Sequence, residues 1–224
     1  FKKIEINKKS NTENKTDVVV DIEENKTGSF QFGISFGTLN GTSFTTGFRE
    51  NNIGGTGRTL NMNINTSEKN TNYAIDVIEP YIFNSNMNFI YGVDYKNKDL
   101  SSSSYYKLDS LNFKSGVKYE LAYNINHTAL LEYDIQDYYI TDNSLVASSI
   151  SKYSGANAEI VLKNIISKNT LNSYIHPTDG RLLYYENLLS PVTNSDNGYM
   201  KNFISFKQVD QFNKNILTSK FSIG

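Results

Sequence analysis

The chain has 224 residues, a formal net charge of -1 and no cysteine. Without a basic stripe nothing can replace counterions on phosphates, which excludes nucleic acid as a partner, and without cysteine there are no disulfides or thiolate metal sites. Mean hydropathy is -0.47, and no apolar run approaches the ~20 residues of a membrane helix, although a transmembrane β-barrel looks equally polar on average because its strands alternate lipid-facing and lumen-facing residues.

Phe1 to Glu24 reads as two short strands around a polar turn, with Ile4 and Ile6 on the first and Val18, Val20 and Ile22 on one face of the second. That is too little apolar surface for a core of its own. Because the chain begins at Phe1, any targeting segment is expected to lie outside it. From Thr27 to Leu39 the alternation is complete. Phe30, Phe32, Ile34 and Phe36 fall on one face, and Ser29, Gln31, Gly33, Ser35 and Gly37 on the other. Only a strand sorts residues at 180° per residue. A hairpin at Leu39-Asn40-Gly41 returns through Phe44, Thr46 and Phe48 to a tight turn at Gly54-Gly55-Thr56-Gly57. Leu60, Met62 and Ile64 then alternate with Asn61, Asn63 and Asn65, and three amides on one face suit a wetted surface, not a core. Ser67 to Thr71 reads as a polar loop, and Tyr73 to Glu79 as a strand that Pro80 ends, since proline cannot donate to a ladder.

The same pattern continues through Met87 to Lys96, Tyr105 to Leu121 and Thr128 to Ile140, with a loop at Ser101 to Ser104. Thr141 to Gly155 is a long polar loop, and Ala156 to Lys168 a strand whose phase the sequence leaves open. A turn at His176 to Gly180 and strands at Arg181 to Leu189, Tyr199 to Val209 and Asn215 to Gly224 bring the total to about eleven. A single such strand fits a soluble sandwich. The set does not, because several strands run ~10–17 residues against a usual 5–6. Their polar faces also carry Lys114, Lys118 and Glu120 on one strand and Glu132, Asp134 and Gln136 on the next. The expected fold is all-β, a transmembrane antiparallel up-and-down barrel wall with the apolar face outward.

No enzyme site emerges. His127 and His176 lack ligand partners at metal spacing and read as solvated turn residues. Glu132 and Asp134 share a face only because strand geometry puts residues two apart there. The glycine-rich run lacks the lysine and helix of a phosphate loop. No cofactor or metal is expected.

Three turns and the opening strand resemble the BamA family, the outer-membrane barrel-assembly factors of the superfamily that also contains TamA. In that family a polypeptide-transport-associated (POTRA) domain ends in a strand and a "TGS"-like run opens the barrel; here Asp17 to Glu24 precedes Thr27-Gly28-Ser29. The family's first periplasmic turn, roughly E-R-N-F-x-G-x-G, is similar to Glu50-Asn51-Asn52-Ile53-Gly54-Gly55-Thr56-Gly57. Glu50, Asn52, Gly55 and Gly57 match, while Asn51 and Ile53 depart. Glu79-Pro80-Tyr81 resembles the E-P-Y-F strand end, with Phe83 displaced by one, and Pro177-Thr178-Asp179-Gly180 the P-T-x-G turn.

The resemblance implies that residues 1–25 end a POTRA domain and 26–224 open a sixteen-strand barrel of which about eleven strands are present. It also implies residence in the bacterial outer membrane and folding and insertion of other barrel proteins there. The expected partners are unfolded outer-membrane clients, periplasmic assembly lipoproteins and the lipid bilayer. Phe30, Phe32, Gly33, Ile34, Phe36 and Gly37 would form a gate strand. Alternation of strand direction would place the Gly54, Pro80 and Pro177 turns at the periplasmic end and the Thr141 to Gly155 loop outside. A TamA-like or two-partner-secretion barrel, a passive porin and a soluble β-protein are the competing readings.

Overall fold

Period-two alternation over long stretches leaves the backbone one economical solution, a ladder in which each strand pairs with its neighbours in sequence. The computed structural model describes residues 2–10, 16–23, 26–38, 41–82, 85–173, 176–193 and 198–224. Strands β1 (Lys3–Ser10) and β2 (Thr16–Glu23) form a separate antiparallel hairpin. Its register opposes Ile4 to Ile22 and Ile6 to Val20, while Lys2–Glu23 and Asn7–Asp21 pair polar side chains.

One antiparallel sheet follows, built from β3 (Gly28–Gly37), β4 (Gly41–Glu50), β5 (Thr59–Ser67), β6 (Asn70–Ile82), β7 (Met87–Asp99), β8 (Tyr106–Ala122), β9 (Ile125–Ile140), β10 (Gly155–Asn169), β11 (Gly180–Thr193), β12 (Tyr199–Phe212) and β13 (Asn215–Ile223). These eleven strands lie side by side in chain order, so no connection crosses the sheet. The expected number of strands is borne out.

Register sorts the two faces across the sheet. Phe30, Phe48, Met62, Ile75, Val93, Phe113, Tyr133 and Ile160 stand opposite one another in a continuous row. One residue along, Gln31, Gly47, Asn63, Ala74, Asp94, Asn112, Asp134 and Glu159 form the corresponding row on the other face. On β8 the outward apolar stretch runs from Leu111 to Tyr119, nine residues, which matches the ~9–11 a tilted strand needs within lipid. Tyr73 stacks on Tyr95 at 6.2 Å at one border of this belt, and Tyr119 meets His127 edge-on at 5.3 Å at the other. Amphipathic rings suit both borders.

Several local expectations change. Pro80 does not end its strand: β6 continues to Ile82, and the register shifts between Glu79 and Ile82, a bulge that absorbs the missing donor. The β5–β6 connection is only Glu68 and Lys69, because the Ser67 hydroxyl accepts from the Asn70 N–H and closes the turn early. Ser101–Ser104 is a helical turn, α1, that Tyr105 ends in the left-handed conformation at φ 61°. His127 lies in β9 and not in a turn, with its Nδ1 2.9 Å from the Tyr119 hydroxyl. The phase of β10 is settled by β9: Glu159, Val161 and Lys163 face inward, Ile160 and Leu162 outward.

The connection between β9 and β10 contains a helical turn, α2 (Ser148–Ser151), and it is anchored. Val146 is buried, and the Tyr153 ring lies 5.9 Å from Tyr138, itself 5.8 Å from Tyr106. Tyr106 and Tyr138 share the polar face with Gln136, so this loop folds inward over one mouth of the sheet.

Candidate functional site: an open edge strand and the turns at one end

Strand β3 ends the sheet, with β4 as its one neighbour. Phe30, Phe32, Ile34 and Phe36 oppose Phe48, Thr46, Phe44 and Thr42, and all four of the β3 side chains are more than half exposed. Two glycines interrupt the inward face. A Cβ on Gly33 would sit 3.9 Å from Thr45, an ordinary contact, and one on Gly37 would meet nothing within 4 Å. Neither has a positive φ. Space and backbone conformation therefore do not demand glycine at either place, unlike Gly47, where a Cβ would press on the Asn63 amide at 3.3 Å.

The inward face of β6–β10 is bound together very differently. Lys114 Nζ lies 2.7 Å from Asp76 Oδ1 and 2.9 Å from Asp94 Oδ2. To reach Asp76 the lysine must cross β7, and it does so over Gly92, where a Cβ would collide with the Asp76 carboxylate and the Ile75 carbonyl. Lys163 pairs with Glu132 at 3.2 Å. Gln136 donates to Asp134 at 2.7 Å and to Glu159 at 3.2 Å, while Ser110 caps Asp134 and the fully buried Ser190 caps Glu159. Partial burial strengthens these links relative to water. The sequence draws attention to Lys114, Glu132, Asp134 and Gln136 and puts Asp94 on a polar face without a partner, but misses Asp76, Glu159 and Ser190; only the register reveals these pairings. Lys118 makes no ion pair among the described residues, and Glu120 accepts from the Asn124 N–H instead.

At the other end of β4 the backbone turns through Glu50 to Gly57. Gly54, Gly55 and Gly57 have φ of 58°, 77° and 76°, values that favour glycine. Glu50 Oε1 accepts from the Asn52 N–H at 2.9 Å, and Asn52 Oδ1 accepts from the Gly57 N–H at 2.6 Å. Asn51 donates both its N–H and its side-chain amide to the Thr27 carbonyl, tying this turn to the entry of β3. Arg58 pairs with Glu79, and the Pro80 ring lies 3.7 Å from where a Cβ of Gly57 would be. The Glu50–Gly57 and Glu79–Pro80 motifs are thus one contiguous cluster. Tyr81 follows in β6, and Phe83 lies outside the described residues.

The third motif shares this end of the sheet, because antiparallel alternation puts the β4–β5, β6–β7 and β10–β11 connections together, but it stands apart along the sheet. Its organiser is Asn172, which sequence reading missed. Asn172 Oδ1 accepts from the Thr178 and Asp179 N–H groups at 3.0 and 3.2 Å, and its Nδ2 donates to the Thr178 hydroxyl at 2.7 Å. Pro177 precedes this clasp, and Gly180 ends it with φ 110° against the Thr170 carbonyl, where a Cβ has no room. His176 is exposed beside it.

A chain-ordered antiparallel sheet with a belt of apolar residues on one face and ion pairs on the other is the wall of a transmembrane β-barrel. The Omp85 superfamily domain model matches residues 52–224, and the chain belongs to that superfamily. It is 30% identical over 115 residues to the outer membrane protein assembly factor BamA of Buchnera aphidicola subsp. Acyrthosiphon pisum (strain APS), an alignment covering 50% of this chain and 17% of the relative. The crystal structure of BamA from Haemophilus ducreyi lacking POTRA domains 1-3 superposes with a TM-score of 0.81 at 21% identity, covering 99% of this chain and 46% of the other. The chain thus spans less than half the length of either. The resemblance read from the turns is borne out at the level of family and fold, and with it the expected location in the bacterial outer membrane.

Proposed function

We propose that the protein is an outer-membrane assembly factor that folds and inserts other β-barrel proteins, with β3 as the strand on which a client strand is built. The observation that carries this reading is the edge itself. On the side of β3 away from β4, backbone N–H and C=O groups have no sheet partner among the described residues, while the side chains are sorted cleanly between lipid and lumen. Such an edge pairs with an incoming strand through main-chain bonds, and alternating side chains set the register. No side-chain chemistry is required. Gly33 and Gly37, which the fold does not demand, weaken the hold of this strand on any one register.

In this reading residues 1–25 end a POTRA domain and 26–224 begin the barrel. The two-stranded β1–β2 hairpin, apolar on one face, supports that division. The end carrying the Glu50–Gly57, Glu79–Pro80 and Pro177–Gly180 motifs faces the periplasm, where assembly lipoproteins bind. The β9–β10 loop faces outward, and an epitope inserted at Ser148 is detected on intact cells; detection only after permeabilisation reverses the orientation. The gate is tested in the full-length protein by a disulfide between Ser35→Cys and a cysteine in the barrel's closing strand. Client assembly stops on oxidation and resumes on reduction. Normal assembly with the seam fully crosslinked overturns the edge-strand mechanism.

A further inference from the structure

The lipid-facing surface is apolar along most of its rows, with one polar row inside the belt. Asn164 on β10 stands opposite Asn187 on β11, which stands opposite Asn202 on β12. Apolar rows flank it on both sides: Leu162, Leu189 and Met200 toward the middle of the belt, and Ile166, Tyr185 and Ile204 toward the end that carries the turns. Three amides in hydrocarbon are costly unless satisfied. The row satisfies itself only in part. Asn202 Oδ1 accepts from Asn187 Nδ2 and from the Tyr185 hydroxyl, both at 2.9 Å, which fills that oxygen. The Asn202 amide N–H groups and the whole Asn164 side chain have no hydrogen-bond partner among the described residues.

We propose that this row binds a membrane glycerophospholipid, recognised through the oxygens of its glycerol esters. The unspent groups are chiefly N–H donors, which call for an acceptor-rich ligand. The row carries no charge, which favours a zwitterionic lipid over a strongly anionic one. Lys168 lies four residues beyond Asn164 on the same face of β10, past the flanking apolar row, at the level where the phosphate of such a lipid sits. The amide row thus lies between Lys168 and the apolar middle of the belt, with the Ile166, Tyr185 and Ile204 row intervening on the cation side, as the esters lie between the phosphate and the acyl chains in the ligand. The orientation proposed above decides only which leaflet supplies the lipid.

The test uses the delipidated full-length protein in detergent, titrated with palmitoyl-oleoyl-phosphatidylethanolamine and followed by native mass spectrometry. Heat-modifiable electrophoretic mobility verifies that each variant is folded. One lipid binds saturably to the wild type. Asn202→Leu and Asn164→Leu each weaken that binding about tenfold, the equivalent of about 1.4 kcal/mol, and Lys168→Gln weakens it less. Asn164→Leu breaks no side-chain bond, so it stays informative if Asn202→Leu fails to fold. Ser115→Leu, on the same face away from the row, leaves binding unchanged. Equal binding by wild type and Asn164→Leu, or equal loss in Ser115→Leu, overturns the site and marks the lipid as part of the general annulus. Because orientation is read separately, on intact cells, the two ideas fail independently.

Discussion

The β3–β5 region and the β7–β10 region obey the same alternation yet are held in opposite ways. The first has strands of 10, 10 and 9 residues, glycines at four inward positions of β3 and β4, and asparagine amides facing the lumen. The second has strands of 13, 17, 16 and 15 residues, and its inward face is tied by ion pairs, Lys163 to Glu132 on the neighbouring strand and Lys114 to Asp76 across the intervening β7. Backbone ladders alone tolerate a shift of register, because any two-residue slip restores the alternation. A lysine shared between carboxylates on two other strands does not, since a slip separates all three charges at once. In the proposed mechanism the pinned half is the scaffold against which the edge moves.

The comparison breaks first at the lipid face, where the two regions should respond alike. Ile34→Lys on β3 and Phe113→Lys on β8 each cost up to about 2–4 kcal/mol if near the midplane, read as a shift in urea unfolding of the protein in lipid vesicles. A large cost at one and none at the other means the apolar belt does not run across the whole sheet. On the lumenal face the regions should diverge. Lys114→Met strands Asp76 and Asp94 as neighbouring carboxylates and costs about 2–3 kcal/mol, discounted from a fully buried pair because Lys114 is 17% exposed. Adding Asp94→Asn recovers part of it; no recovery removes the ion pair as the cause.

Glycine substitutions sharpen the contrast at smaller scale. Gly92→Ala forces Asp76 and Lys114 apart and costs about 1–3 kcal/mol, whereas Gly33→Ala, with open space and no positive φ, changes stability by less than about 1 kcal/mol in either direction. If both are equally harmful, the edge strand is as tightly specified as the scaffold. The smallest effect falls on the β9–β10 loop. The Ser144 hydroxyl and N–H donate to Asp142 Oδ1 at 2.6 and 2.8 Å and hold its carboxyl below the usual range. A depressed carboxylate stabilises the loop above its unfolded pKa and loses that contribution as pH falls through the folded value. Protease cleavage within residues 141–147 should therefore rise only below about pH 4, and Ser144→Ala should raise cleavage at neutral pH and flatten that rise.

The sheet was legible because its cause is local. Phe30, Phe32, Ile34 and Phe36 announce a strand without help from any other part of the chain, and the same holds for Phe89 to Tyr95 and Leu111 to Tyr119. The turn motifs were legible in composition but not in logic. Gly54, Gly55 and Gly57 follow from left-handed backbone, yet the residue that ties their turn to the entry of β3 is Asn51, one of the two positions departing from the family pattern. Asn172, which folds the Pro177 turn, lies outside the motif it supports. Pro80 misled because a bulge can house a proline that a regular ladder excludes. The Lys114 and Glu159 networks were hidden for a simpler reason: they join strands whose register no single strand encodes.

Because every strand of the sheet pairs with its neighbour in sequence, each hairpin closes a short loop, the longest being residues 141–154 between β9 and β10, and the entropy lost grows only with the logarithm of loop length. The sheet can therefore grow one hairpin at a time, each step leaving a fresh edge for the next. Joining β3 to a strand distant in sequence is different in kind, since it alone must gather the ends of the whole array. Contacts of that sequence separation form late and slowly. In the proposed reading the seam at β3 is then the last joint made, and during folding this chain exposes the same edge that it is proposed to offer its clients.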